Sequence, residues 1–362
     1  MIIKHEESPM KRFAITVAAC FSALCMPAQQ AVELSQHDLS RWDIGTGNYS
    51  GITHIGDNRY AVVSDKEPAD GFFVFRIDQN STTGDIESVY LEGFYGNTQP
   101  TLDAQGKSVR DCEGIAFFPS AGTVFISGEG DQEILEYDMK GQPTGRSLLV
   151  PPMFSRDKIV PNYGFEALSY CAPTGRFWTV TESTIPADGP VAGPANPTVQ
   201  NVLRLQSFDN SLAPVAQYAY RMDRGKSADF GMTYVYGVPE LTALPDGRLL
   251  VLEREADISN GYLSSEVVCK LFLVDPNSSW QIDATTDMKK LDPNRFMVKT
   301  LLSAFQTKYT PFKRTFANYE GMCLGIRLAD GRQTLLMVSD SQGGYGKGPF
   351  HLKDYIKVLI LP

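Results

Sequence analysis

The sequence predicts an all-β fold, a β-propeller of four-stranded blades, and three observations carry that expectation. One hairpin pattern recurs five times: a turn, an apolar strand, a tight turn, and a second apolar strand that stops at an acid. Each copy continues into a third apolar strand, and most into a weaker fourth, which is the unit of a propeller blade. Helical periodicity is scarce, with Leu301 to Lys308 the best stretch for a helical turn or two.

The first 28 residues stand apart. Met10-Lys11-Arg12 is a basic start, Phe13 to Met26 is mostly apolar, and Pro27-Ala28 precedes Gln29-Gln30. This pattern predicts a signal peptide over 1–28, cleavage near Ala28, and export to the periplasm or the medium. A lipid anchor on Cys20 is the alternative. The apolar run is short for a membrane span, and no later stretch is long enough. Residues 29–362 read as a single propeller domain. Val32 to Ser35 supplies a strand that could complete the last blade, which runs out of chain after its third strand. Such a closure removes the open seam of the ring.

The hairpins follow in order. Ser50-Gly51-Ile52 runs to Val63-Ser64-Asp65, and Glu113-Gly114-Ile115 to Ser127-Gly128-Glu129. Glu166-Ala167-Leu168 runs to Val180-Thr181-Glu182, and Glu240-Leu241-Thr242 to Val251-Leu252-Glu253. Glu320-Gly321-Met322 runs to Val338-Ser339-Asp340. Turn residues such as Gly56-Asp57-Asn58 and Pro245-Asp246-Gly247 join the paired strands. Third strands begin at Val74, Ile134, Val202, Lys270 and Tyr355, and fourth strands include Ser88 to Glu92 and Phe296 to Thr300. Five blades result. Starts at 50, 113, 166, 240 and 320 leave two long intervals that could hold a sixth. Loops at 185–199, 257–266 and 342–349 all leave from the acid-bearing end of their hairpins, where a binding face is decorated.

Composition narrows the function. Without residues 1–28 the chain holds 30 bases and 40 acids, a net charge of −10, and shows no basic face for nucleic acid. Cys112, Cys171, Cys269 and Cys323 have no metal-site spacing. Two disulfides are possible in an exported chain, but their apolar settings favour buried free thiols. His37, His54 and His351 form no zinc pattern, and His54 reads as a core histidine rather than a base. There is no GxSxG elbow.

The recurring acids point to the site. In an antiparallel hairpin the start of the first strand and the end of the second lie at one end. Glu113, Glu166, Glu240 and Glu320 hold the first place, and Asp65, Glu129, Glu182, Glu253 and Asp340 the second. Closing the ring brings nine carboxylates to one face around the channel. Like charges in low dielectric are costly, and a hard divalent cation such as Ca²⁺, which takes six to eight oxygens, offsets them. Lys66, Arg254 and Arg314 are the alternative counter-charges. Any single acid could instead cap its own turn. Ser50, where the acid is missing, reads as a gap through which a ligand approaches.

Asp111-Cys112-Glu113-Gly114, Asn162-Tyr163-Gly164-Phe165-Glu166, Gly237-Val238-Pro239-Glu240 with Leu252-Glu253-Arg254, and Asn318-Tyr319-Glu320-Gly321 resemble the "esterase-like activity of phytase" family. The likeness runs from about Gly51 to the C-terminus. It implies a secreted hydrolase with a propeller-like fold and hands over no catalytic base. The resulting expectation is a metal-dependent hydrolase of phosphate or carboxyl esters. Glu113, Glu166, Glu240 and Glu320 would act as ligands or base, and Lys66, Arg254 and Lys347 would meet an anionic small-molecule substrate. A non-catalytic, calcium-stabilised binding module for a glycan, peptide or envelope partner is the alternative, and a lactonase is the third. The sequence leaves substrate and oligomeric state open.

Overall fold

A computed structural model describes residues 30–66, 70–99, 102, 104–105, 109–193, 196, 199–225, 233–258, 263–346 and 351–362. Two short strands, β1 (Val32–Glu33) and β2 (His37–Asp38), precede the blades. Blade I is β3 (Tyr49–Gly56), β4 (Arg59–Ser64), β5 (Asp70–Gln79) and β6 (Ile86–Asn97). Blade II is β7 (Cys112–Phe118), β8 (Thr123–Gly128), β9 (Ile134–Tyr137) and β10 (Pro143–Ser147). Blade III is β11 (Phe165–Cys171), β12 (Arg176–Thr181), β13 (Val202–Phe208) and β14 (Pro214–Arg221). Blade IV is β15 (Thr233–Ala243), β16 (Leu249–Ile258) and β17 (Glu266–Val274), and its outer strand β19 follows β18 (Gln281–Ile282) and spans Lys299–Lys308. Blade V is β20 (Asn318–Arg327), β21 (Gln333–Asp340) and β22 (Tyr355–Ile360), completed by β1.

All pairings are antiparallel, and the five inner strands β3, β7, β11, β15 and β20 contact one another in a ring. This is a five-bladed propeller. The segment 275–298 is not a sixth blade: it crosses back to blade III, where β18 pairs with β14. The other long interval holds the 185–199 loop. The stretch from Leu301 to Lys308 is strand, not helix: it pairs antiparallel with β17, from the pair Glu266/Lys308 to the pair Phe272/Leu301, with a register shift at Leu302. No α-helix occurs among the described residues, so none is long and apolar enough to cross a membrane. The expected loop at 257–266 begins later than the sequence suggests, since β16 runs through Ile258.

The ring closes as expected. Val32 pairs with Ile360 and His37 with Ile356, so β1 and β2 cover the open edge of β22. Each junction between neighbouring blades has its own buried apolar cluster. Val63, Phe72, Ile115 and Ile126 join blades I and II. Phe118, Phe125 and Phe177 join II and III. Val180, Leu203, Leu241 and Val251 join III and IV. Leu252, Leu271, Met322 and Met337 join IV and V. Ile52, Val62, Leu336 and Val358 join V and I. Burial at five equivalent seams fixes the blades against one another, at roughly 25 cal/mol per Å² of apolar surface removed from water. The four cysteines at these levels are buried free thiols. His54 departs from expectation. It is exposed against Tyr60, with ring centroids 5.0 Å apart, and its Nε2 lies 2.7 Å from the Asp57 carbonyl oxygen.

A detail of the inner strands explains the Glu-Gly pairs. A side chain on Gly51, Gly114 or Gly321 would lie 2.4, 2.5 or 2.1 Å from the backbone oxygen of Glu113, Glu166 or Ser50 on the next inner strand. Glycine after the acid position therefore lets adjacent inner strands approach closely around the channel.

Candidate functional site

Each inner hairpin carries a β-bulge where it reaches the channel mouth, between the pairs Tyr49/Ile52, Cys112/Ile115, Phe165/Ala167, Gly237/Glu240 and Tyr319/Gly321. A bulge sets two residues against one and re-aims the side chains around it. In blades II, III and V the strand-start glutamate is at the bulge, and Glu113, Glu166 and Glu320 line one mouth cavity of 540 Å³. Asp65, Glu129 and Glu182 join them from the ends of second strands. Six of the nine expected carboxylates thus converge.

The other three do not line that cavity. In blade IV the bulge falls earlier, on Val238 and Pro239, because proline has no N–H for the ladder. Glu240 then pairs regularly with Leu252. Its Oε1 accepts from Leu168 N at 3.1 Å and Leu241 N at 2.9 Å, so it ties inner strands together inside the ring. The same shift turns Glu253 away from the mouth. It accepts from Tyr220 Oη at 2.7 Å and pairs with Lys299 at 2.5 Å, and Arg254 takes the mouth position instead. Asp340 is buried beside its own turn, where Gln342 N donates to it at 2.7 Å. Ser50 is no gap: it is buried and its hydroxyl donates to Glu113 Oε2 at 2.6 Å.

The mouth divides into two halves. On one, Arg254 is buried between Glu182, which it contacts directly, and Glu320, 2.6 Å from Nη1, with Asn318 Oδ1 at 2.8 Å. This half carries its own cation, so Arg254 is engaged by protein carboxylates. On the other half lie Asp65, Asp111, Glu113, Glu129 and Glu166. Lys66, half-exposed, pairs with Asp65. Oxygens of Asp65, Asp111 and Glu113 lie within 4.8 Å of one another, as do those of Glu113, Glu129 and Glu166. Twice a typical Ca–O bond is about that span, so either triad could hold a metal ion. Asp65 Oδ1 is buried and has no hydrogen-bond partner. An orphaned carboxylate oxygen beside two further acids fits a cation. Lys347 lies outside the described residues.

The electrostatics agree. Burial first, then repulsion from Glu166, Asp65 and Glu129, pushes the Glu113 carboxyl well above the usual range. Burial and then Glu182 and Glu129 do the same at Glu166. Glu129 is raised to about 8, chiefly by burial and despite an N–H bond from Gly164. Asp65 rises to about 7 for the same first reason, with Lys66 opposing. The half without arginine therefore holds protons unless a cation replaces them.

Asp111 is the ligand candidate that the repeat pattern misses. It stands two residues before Glu113 in the left-handed region, φ 50°. Asn48 (φ 47°) and Asn162 (φ 61°) take the same conformation before β3 and β11, and Asn162 also lines the mouth. An Asn or Asp two to four residues ahead of the first-strand position in every blade but IV (Asn48, Asp111, Asn162 and Asn318) was the available signal. A side lobe of 710 Å³ opens from the mouth beside Asp65, Lys66, Asp111 and Glu129, and is lined further by Gln132, Arg156 and Ile159.

A family profile described as Phytase-like, esterase-like activity of phytase, matches residues 44–342. No curated protein matches the sequence. Similar solved structures include an endo-arabinase from Bacteroides thetaiotaomicron, 11% identical, covering 91% of this chain and 98% of that one at a TM-score of 0.46. The α-L-arabinanase of Penicillium chrysogenum is 12% identical, covering 90% and 98% at 0.42. A streptogramin B lyase is 14% identical, covering 92% and 98% at 0.34. At these scores the likenesses assign no chemistry to this chain.

Proposed function

This chain belongs to the phytase-like family, esterase-like activity of phytase, and on that premise we propose that it is an exported, calcium-dependent hydrolase of carboxyl or phosphate esters. The observation that carries the reading is the half of the mouth without arginine, where five acids face one lysine, with the unpartnered Asp65 Oδ1 at its edge. Asp65, Asp111 and Glu113 would hold the cation. When bound, a divalent cation polarises an ester oxygen and lowers the pKa of water.

The chain's own groups supply the rest. Glu166, buried next to Glu129, would take the proton from the attacking water once it has given up its own, a loss that a cation held at the neighbouring Glu113 would favour. Glu129, raised to about 8, holds a proton near neutral pH that it can give to the leaving oxygen. The water O–H and the ester bond break, the new bond forms to the water oxygen, and the proton count balances. Arg254 pairs with Glu182 and Glu320, opposes the upward push that burial gives their carboxyls, and so sets them apart from that exchange. Lys66 offsets the charge of an anionic substrate. Glu240, inside the ring, keeps the inner strands in place.

Hydrolysis of carboxyl-ester, phosphate-ester and lactone panels, with Ca²⁺ and with EDTA, tests the reading. Turnover that EDTA removes and Ca²⁺ restores is expected. A folded protein inactive on every panel rules the reading out. One observation favours a second reading, a calcium-stabilised binding module: no Ser, Cys or His side chain lines the mouth cavity among the described residues. Glu166→Gln would then shift the melting temperature with no turnover to lose.

A further inference from the structure

The inner hairpin of blade IV projects beyond the others. β3 and β4 have eight and six residues, β7 and β8 seven and six, as do β11 and β12, β20 and β21 ten and eight, and β15 and β16 eleven and ten. Part of the excess lies on the mouth side of the bulge, from the pair Gly237–Arg254 to the pair Thr233–Ile258. Strand alternation then puts Val235, Ala256 and Ile258 on the cavity face, in line with Arg254. Phe316 and Tyr345 continue this surface from blade V. Val235 and Ile258 are half-buried, packed on one side against the apolar cluster between blades IV and V and open to the cavity on the other. One cavity therefore has a carboxylate end and a hydrocarbon end, with Arg254 between them.

We propose that this wall receives the apolar acyl or alkyl arm of the substrate, so that the site selects esters with a hydrocarbon arm over compact polyanionic ones. The inference rests on the ester-hydrolase reading and narrows it. A hydrocarbon arm laid on Val235 and Ile258 leaves water, while a polyanion there would give up hydration against hydrocarbon. Each methylene that reaches the wall raises kcat/KM roughly fourfold, by its transfer free energy.

The test uses the full chain with Ca²⁺ and the 4-nitrophenyl esters of acetate, butyrate and hexanoate, with 4-nitrophenyl phosphate alongside. Rates should climb with chain length and be lowest for the phosphate. Val235→Asp and Ile258→Asp should flatten the climb. Val235→Ser and Ile258→Ser give the answer if the Asp variants melt early. A length-independent rate, a preference for the phosphate, or a slope unchanged in the variants overturns the proposal. If no ester is hydrolysed, calorimetry with acetate and hexanoate decides. Tighter hexanoate binding that the variants lose keeps the wall and ends the hydrolase reading, whereas equal binding ends both.

Discussion

Glu113 and Glu240 began as equivalent letters in a repeat and occupy different chemistry. Glu113 faces four other acids at the mouth, and Glu240 accepts backbone N–H groups within the ring. Their substitutions should separate accordingly. Glu240→Gln keeps the acceptor and should change stability by less than about 1 kcal/mol, whereas Glu240→Ala orphans the N–H groups and should cost about 2–4 kcal/mol. Chemical denaturation distinguishes the two. The raised carboxyls also set a pH dependence. Asp65 at about 7 and Glu129 at about 8 exceed their unfolded values of roughly 4. Between those limits the folded chain binds protons that the unfolded chain does not. Their stabilisation is complete below about pH 4 and is lost as pH rises through 7 to 8. The melting temperature of EDTA-treated protein should therefore fall from pH 5 to pH 8.5, and Ca²⁺ should restore it at the upper end. A melting temperature that rises over this range without metal contradicts the account.

At the level of elements, alternation and turn residues made the strands readable, and the Glu-Gly pairs marked the inner ones. The bulge register was not readable from the repeat. A one-residue displacement at Pro239 exchanges Glu253 for Arg254 at the mouth, and spacing alone treats the two as interchangeable neighbours. Proline at that place was the one local sign. Asp111 was hidden for a related reason: its role comes from a left-handed residue ahead of the strand, outside the repeated acid positions. The glycines carry a direct prediction. Gly114→Ala places a methyl 2.5 Å from the Glu166 carbonyl oxygen. Overpacking of this kind should cost about 1–3 kcal/mol and should weaken Ca²⁺ binding, since Glu113 and Glu166 move apart. Urea denaturation and calcium titration of the same variant check both halves.

For the whole molecule, the blade count and the closure followed from the repeat, because a ring whose last blade lacks an outer strand must find one elsewhere. Removing residues 30–38 should expose the edge of β22, lower the melting temperature and promote aggregation, as light scattering would record. The ring also gathers one acid or its substitute from each blade at a single mouth, and only the closed structure shows how Arg254 splits that mouth in two. On this reading the half of the mouth without arginine binds a divalent cation. Isothermal titration of the metal-free protein with Ca²⁺, in buffers of different ionisation enthalpy, tests it most directly. Saturable binding with proton release is expected, abolished in Glu113→Gln and retained in Glu320→Gln. Absence of binding, or binding indifferent to Glu113→Gln, would contradict it.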